Sequence, residues 1–239
     1  MKNRPPEDPA LHAFLDDVAD VANDDPAEAL ELLDEASPDW QDHPEIHYFR
    51  GDLVWTLEGP EAAGPHFRRA LDRDSRFADA HHALAQVHEA MEQRPAMIRH
   101  YLEVLRLDAH DDIGAGIGTK EDQRFIAGVA ESVLEDLPEE FKQRLGNVPV
   151  VLEARPAKYL VQDGFDPRAL GLFEGPDHFH QRGIEAAAAP SRIVLYYANL
   201  LAMFADEDEL REQVEVTILH EIGHYFGLDE DDMQRLGLD

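Results

Sequence analysis

The residues with the clearest chemical potential are His220-Glu221-Ile222-Gly223-His224, near the end of the sequence. Successive residues of an α-helix are rotated by about 100°, so side chains four positions apart return to nearly the same face. His220 and His224 can therefore direct two imidazoles at one ion, as in the H-E-x-x-H helices of zinc hydrolases. Glu221 lies one step round the same face, where it can take a proton from water that the metal acidifies. The spacing predicts a zinc site with Glu221 as general base.

A catalytic zinc site also needs a third protein ligand, and the residues after His224 offer three candidates. Gly227 can adopt the left-handed conformation that ends a helix and turns the chain back. Glu230 lies six residues past His224, where the compact H-E-x-x-H-x-x-G-x-x-(His/Asp/Glu) pattern has its third ligand. Asp229 and Asp231 are close rivals, so the predicted ligand set is His220, His224 and Glu230 with this alternative open.

The helix that carries the two histidines must be held by other elements. Asp206 can cap it, Glu209 can return the capping bond, and the helix should run to about Phe226. Before it, the sequence predicts two helices over 120–145 that are broken at Pro138. Three short strands are predicted at 148–152, 170–175 and 192–197. Order and type together indicate an α+β arrangement in which a small mixed sheet packs on the metal-binding helix.

These segments resemble a known family. The run from Leu219 to Asp232, with Ile193-Val-Leu-Tyr196 and Gly171-Leu-Phe-Glu-Gly175 before it, is similar to the minimal zincin-like metallopeptidases, once grouped as a domain of unknown function. The resemblance spans about residues 123–239. It implies a compact zincin fold, zinc on the two helix histidines and an acidic third ligand, with a peptide as substrate. The chain differs from the family by carrying Glu230 where most members have Asp, and by its N-terminal region.

The N-terminal half shows a helical pattern that repeats after 34 residues over roughly 10–110. The shift aligns small or apolar residues in three columns, namely Ala29, Ala63 and Met97, then Leu33, Phe67 and Tyr101, then Ala36, Ala70 and Val104. Gly51 aligns with Ala85. Small residues where helices cross, with an aromatic four positions on, are typical of stacked helical hairpins. The pattern resembles the tetratricopeptide repeat, which implies a surface for a peptide or protein partner; an ordinary helical bundle is the alternative.

Composition limits the function classes. The chain has 239 residues and a net charge of −30, from 51 acids and 21 bases, and the excess is divided almost evenly between its halves. So acidic a surface argues against nucleic acid or an anionic membrane as partner. There is no cysteine and no apolar run of membrane-spanning length, and the first residues do not resemble a signal peptide. We therefore expect a cytoplasmic protein.

Three further features have competing interpretations. Gly114, Gly116 and Gly118 superficially resemble a phosphate loop, but no apolar strand precedes them and no Lys-Ser/Thr pair follows. They favour a flexible joint, which predicts a helical repeat region at 1–112, a Gly-rich linker at 113–122 and a zincin-like domain at 123–239. His178 and His180 could share one face of a strand as a second metal pair, although the surrounding glycines and proline favour a loop. Tyr196 and Tyr197 could polarise a substrate carbonyl or could be ordinary strand residues.

The sequence therefore predicts an α+β protein in which all-α helical-hairpin repeats precede a small zincin-like domain. The leading functional hypothesis is a zinc-dependent metallopeptidase with Zn²⁺ on His220, His224 and Glu230, and with Glu221 as general base. The alternative is a zinc-stabilised adaptor whose repeats bind a partner and whose peptidase activity is vestigial or absent. Glu221 distinguishes the two hypotheses, because a structural zinc site needs no base.

Overall fold

A computed structural model describes residues 8–146, 148–175 and 191–226. The chain divides into two compact units. We call the first the helical unit; it contains the residues up to Asp108 together with Lys158–Gly164. We call the second the mixed unit; it contains Ala109–Ala157 and the residues from Phe165 onward. The domain boundaries expected from the sequence stay a prediction.

The helical unit is built from consecutive helices with well-defined starts. They are α1 (Pro9–Asp24), α2 (Pro26–Asp34), α3 (Pro44–Glu58), α4 (Pro60–Arg73), α5 (Ala78–Ala90) and α6 (Arg94–Ala115), the last of which extends past Asp108. Proline opens the first four because its fixed φ suits the first helical position, where no N–H partner is needed. Asp8 and Asp25 cap α1 and α2, each accepting a hydrogen bond of 3.0 Å from a backbone N–H two residues later.

The 34-residue periodicity has a structural counterpart in the packing of these helices. Helices α2, α4 and α6 begin at Pro26, Pro60 and Arg94, and α3 and α5 begin at Pro44 and Ala78, so both series advance by 34 residues. All nine residues of the three aligned columns are buried. A Cβ at Gly51 would lie 2.6 Å from Cε1 of Phe67, so the small residue is required where α3 meets α4. The helical character of this region is as expected, and its likeness to the tetratricopeptide repeat stays a prediction.

The mixed unit contains the remaining helices and the sheet. Its elements are α7 (Lys120–Asp136), α8 (Glu139–Leu145), β1 (Val150–Glu153), β2 (Gly171–Glu174), β3 (Arg192–Tyr196), α10 (Tyr197–Met203) and α11 (Glu207–Tyr225). A short helix, α9 (Lys158–Gln162), follows β1 in the chain and belongs to the helical unit. Thr119 and Asp122 form a reciprocal capping box at the start of α7. The predicted break at Pro138 is confirmed, because α7 ends at Asp136 and α8 begins at Glu139.

Within residues 148–175 and 191–226, three strands form one mixed sheet in the order β1-β3-β2. Strand β3 is central, pairing in parallel with β1 and antiparallel with β2. Ile193 and Leu195 of β3 share a buried core with Val214, Ile218 and other residues of α11 and α7. The helix that carries His220 and His224 is thus packed on the sheet, and the α+β fold class is confirmed. No helix within the described ranges is long and apolar enough to cross a membrane.

Two of the three glycines near the end of α6 have unusual backbone conformations. Helix α6 continues through Gly114 to Ala115. Gly116 and Gly118 follow with φ angles of 69° and 85°, a region that favours glycine. The chain therefore changes direction between Ala115 and the cap of α7 at Thr119.

Candidate metal centre

The helix that carries the motif begins and ends close to the predicted positions. Asp206 caps α11, and its Oδ1 accepts hydrogen bonds from the N–H groups of Asp208 (2.9 Å) and Glu209 (3.2 Å). These bonds satisfy two of the backbone donors that an α-helix leaves without intrahelical partners at its start. The helix continues to Tyr225, with Phe226 as its C-terminal cap. Gly227, the expected helix terminator, lies outside the described residues.

His220 and His224 bring their Nε2 atoms together on one face of α11. The two Nε2 atoms are 3.0 Å apart, and the rings are nearly perpendicular, with an interplanar angle of 89°. His220 is half-buried and His224 is exposed, so one side of the pair faces the protein and the other faces solvent. Imidazole nitrogens are preferred zinc ligands, and two of them at this separation fit one shared ion. The side chains present therefore suit the metal that the motif implies.

Glu221 lies between the two histidines in sequence but is directed into the protein. It is 8% exposed. Its Oε2 accepts a hydrogen bond of 2.6 Å from the backbone N–H of Phe173 in β2. Burial raises the pKa of Glu221 to about 7, and the hydrogen bond from Phe173 opposes that shift by favouring the charged carboxylate. The helix thus carries two imidazoles that could share an ion and, between them in sequence, a carboxylate that is largely shielded from water.

Strand β2 reaches Glu221 because it packs very closely on α11. A Cβ at Gly171 would lie 2.7 Å from Cγ2 of Thr217 and 3.3 Å from Cγ of Glu221, so only glycine leaves room for this approach. Since β2 is an edge of the sheet, the amide of Phe173 can point away from β3 and toward the helix. This contact is not predictable from the motif alone. The glycine at 171 was the available signal of a close approach, whereas a backbone amide has no residue-specific signature.

The other candidate residues fall into two groups. Glu230, its rivals Asp229 and Asp231, and the possible pair His178 and His180 all lie outside the described residues. Within the described ranges, no group of three or more histidines and acids is arranged to hold a metal ion.

The two candidate tyrosines have packing roles. Tyr196 is fully buried at the end of β3, and its ring lies 6.2 Å from that of Phe165. Tyr197 begins α10 and packs against the hydrophobic core of the mixed unit. Of the two interpretations left open by the sequence, the structure favours ordinary packing residues for both.

Comparison with known proteins supports the resemblance drawn from the motif. The model of the family described as zincin-like metallopeptidase matches residues 145–238. No curated protein matches the chain. The matched segment contains β1, β2, β3 and the whole of α11 with His220, Glu221 and His224. The part of the chain that carries the sheet and the two-histidine helix is thus similar to the zincin-like metallopeptidases.

Proposed function

We propose that this protein is a zinc-dependent peptidase whose zinc is held by His220, His224 and Glu230. The observation that carries the proposal is the arrangement on α11. There, two imidazole nitrogens lie 3.0 Å apart and Glu221, between them in sequence, is buried, in the segment that matches a metallopeptidase family. A structural zinc site would need the ligands but not the carboxylate. Burying an unneeded carboxylate costs free energy, so its presence favours a catalytic role.

The proposed chemistry assigns the proton transfers to Glu221. Zinc, when bound, supplies a Lewis acid that polarises the scissile carbonyl and acidifies a water molecule. Glu221 takes the proton of the attacking water on its carboxylate, and then gives it to the amide nitrogen as the C–N bond breaks. One oxygen of Glu221, Oε2, is fixed by the N–H of Phe173, and the proposal places the transferred proton on the other, Oε1. This hydrogen bond orients the carboxylate and limits its motion during the transfer.

The sheet suggests where an extended peptide would lie. The sequence offered both 170–175 and 192–197 as strands beside the cleft. Among the strands that the structure describes, β3 has a neighbour on each side, whereas β2 lies at an edge. A peptide can add to an edge strand through backbone hydrogen bonds. The proposal therefore places the substrate along β2, the strand that also contacts the general base.

The test separates the base from the third ligand. Glu221→Gln keeps the size of the side chain but cannot accept the proton. We expect hydrolysis of a quenched peptide library to fall by about 10²–10⁴, with little change in zinc content. Glu230→Gln removes a charged ligand, so zinc should be bound more weakly and activity should recover partly when zinc is added. Glu212→Gln is the matched control, because Glu212 is exposed on the same helix.

Each outcome has a distinct meaning. Full turnover by Glu221→Gln would show that the hydrolytic mechanism is wrong. Zinc binding by Glu230→Gln that is as tight as in the parent would assign the third position to Asp229, Asp231 or water. A parent protein that binds zinc but hydrolyses no peptide would favour the adaptor, in which the metal stabilises the mixed unit and the helices bind a partner.

A further inference from the structure

A second candidate site lies wholly within the helical unit, apart from the histidine pair of α11. Helices α3, α4 and α5 line a cavity of about 500 Å³ that is open to solvent on one side. Its walls combine the aromatic rings of Tyr48, Trp55 and Phe67 with the carboxylates of Asp52 and Glu89 and the imidazole of His82. Among the described residues that line it, there is no lysine or arginine. The cavity is within the size range of small-ligand sites and is large enough for one long side chain.

The aromatic wall is held in place by its own packing. The ring of Tyr48 lies 5.7 Å from that of Phe67 and 5.2 Å from that of Phe77. Phe67 is 1% exposed and belongs to a buried hydrophobic cluster of α3, α4 and α5, whereas Trp55 is half-buried at the cavity. The faces of aromatic rings carry partial negative charge and attract cations, most strongly in the case of tryptophan. The wall therefore offers a preformed surface for a cationic group.

The acidic residues give the cavity a net negative charge. Within the described part of the chain, the carboxylate of Asp52 has no hydrogen-bond or ion-pair partner. Asp52 is exposed at the mouth of the cavity, and partial desolvation by the protein raises its pKa above the ordinary value. Glu89 is exposed at the rim and accepts a hydrogen bond of 3.3 Å from the hydroxyl of Tyr101. Because no described cation compensates the carboxylate of Asp52 beside the aromatic rings, the entry of a cation would be favourable.

We propose that this cavity binds the side chain of an arginine from a basic segment of a partner protein. The planar guanidinium can stack on Trp55 while its N–H groups donate to the carboxylate of Asp52. The net charge of −30 attracts basic partners before any specific contact forms. The site is independent of zinc and of peptide hydrolysis.

The experiment uses the full-length protein and two small probes. N-acetyl-arginine amide supplies the guanidinium, and N-acetyl-citrulline amide has nearly the same shape without the charge. Binding is followed by NMR from the indole N–H signals of the two tryptophans, Trp40 and Trp55. We expect the arginine probe to shift the Trp55 signal saturably and the citrulline probe to leave it unchanged. The Trp40 signal should stay in place, since Trp40 does not line the cavity.

Matched variants distinguish a built site from the general attraction of an acidic protein. Asp52→Asn should weaken binding of the arginine probe by at least about threefold, and Trp55→Leu should weaken it similarly. Asp16→Asn removes one exposed carboxylate from α1, away from the cavity, and should leave the affinity unchanged. Equal shifts with both probes, no Trp55 shift at all, or an equal loss in Asp52→Asn and Asp16→Asn would each overturn the proposal. Thermal unfolding of Asp52→Asn, expected to match the parent, shows that the fold is intact.

Discussion

Each unit of the protein holds a pair of histidines whose ring nitrogens lie about one hydrogen-bond length apart. In the mixed unit the pair is His220 and His224, with Nε2 atoms 3.0 Å apart. In the helical unit it is His81 and His100, with Nδ1 atoms 2.9 Å apart. The two distances are nearly equal, but the residues around the two pairs differ. These surroundings favour different roles for the two pairs.

The pair in the helical unit joins two helices through a hydrogen bond. Nε2 of His81 lies 3.2 Å from the carbonyl oxygen of Ser75, so this nitrogen carries the proton and donates it. Nδ1 of His81 is then the acceptor for the N–H of His100, and the ring of His88 stacks on that of His100. Burial, followed by the nearby His81, His88, Arg99 and Arg68, lowers the pKa of His100 to about 4. A neutral pair joined by one hydrogen bond is a packing feature.

The pair in the mixed unit comes from one helix and has a buried carboxylate beside it. Its nitrogens converge because residues four positions apart lie on the same face of α11. No contact between helices is needed to bring them together. Glu221 and the N–H of Phe173 add a proton acceptor that is held in position. The comparison shows that the separation of two imidazoles does not identify a metal site. A carboxylate held beside the pair and a solvent-facing second imidazole distinguish the candidate centre.

The largest expected difference between the pairs is in zinc content. His220→Ala and His224→Ala should each reduce bound zinc from about one ion per chain to nearly none, because two protein ligands rarely retain the metal. His81→Ala and His100→Ala should leave the zinc content unchanged. Elemental analysis of the four purified variants measures the zinc bound per chain. Unchanged zinc in both His220→Ala and His224→Ala would remove α11 as the metal site.

A smaller effect should follow when the approach of β2 to Glu221 is disturbed. A methyl group at Gly171 meets Thr217 and the carbonyl oxygen of Val194, so Gly171→Ala should lower the free energy of unfolding by about 1–3 kcal/mol. Gly128 is the matched control, because it is exposed on α7 with no atom within 4 Å of an added Cβ. Gly128→Ala should raise stability by up to about 1 kcal/mol through helix propensity. Chemical denaturation followed by circular dichroism compares the variants, and equal stabilities would argue against the close packing.

The smallest effect concerns the pH dependence of the helical unit. The folded-state pKa of His100, about 4, is below the ordinary value of 6.5, so below pH 6.5 the unfolded chain binds the proton first. Stability should therefore fall as the pH decreases from about 6.5 toward 4. Between pH 7 and 5 we expect a loss of about 1–2 kcal/mol, less than the full pKa shift implies because the ring is partly hydrated.

Variants isolate this contribution. His100→Asn should show a smaller loss between pH 7 and 5, whereas His110→Asn, on the exposed side of the same helix, should behave like the parent. Tryptophan fluorescence during denaturation reports on the helical unit, because both tryptophans lie there. An identical pH dependence in His100→Asn and the parent would show that His100 remains hydrated in the folded protein.

Much of the local architecture was predictable because it follows from short-range rules. Asp206 caps α11 as expected, and Pro138 separates α7 from α8. The predicted strands appear within two residues of their expected bounds, as β1, β2 and β3. These features depend on capping, on the conformational limits of proline and on β-propensity, which act over a few residues.

The sequence by itself determined the H-E-x-x-H spacing, and with it the convergence of His220 and His224, because helix geometry fixes which residues share a face. It also determined which columns of the 34-residue repeat are buried. Only the tertiary structure decided that β3 is central and β2 is the edge, and that the amide of Phe173 holds Glu221. Only the tertiary structure placed His100 against His81, 19 residues away. Contacts of this kind depend on how whole elements pack, and the identity of one residue carries no record of a partner so distant in sequence.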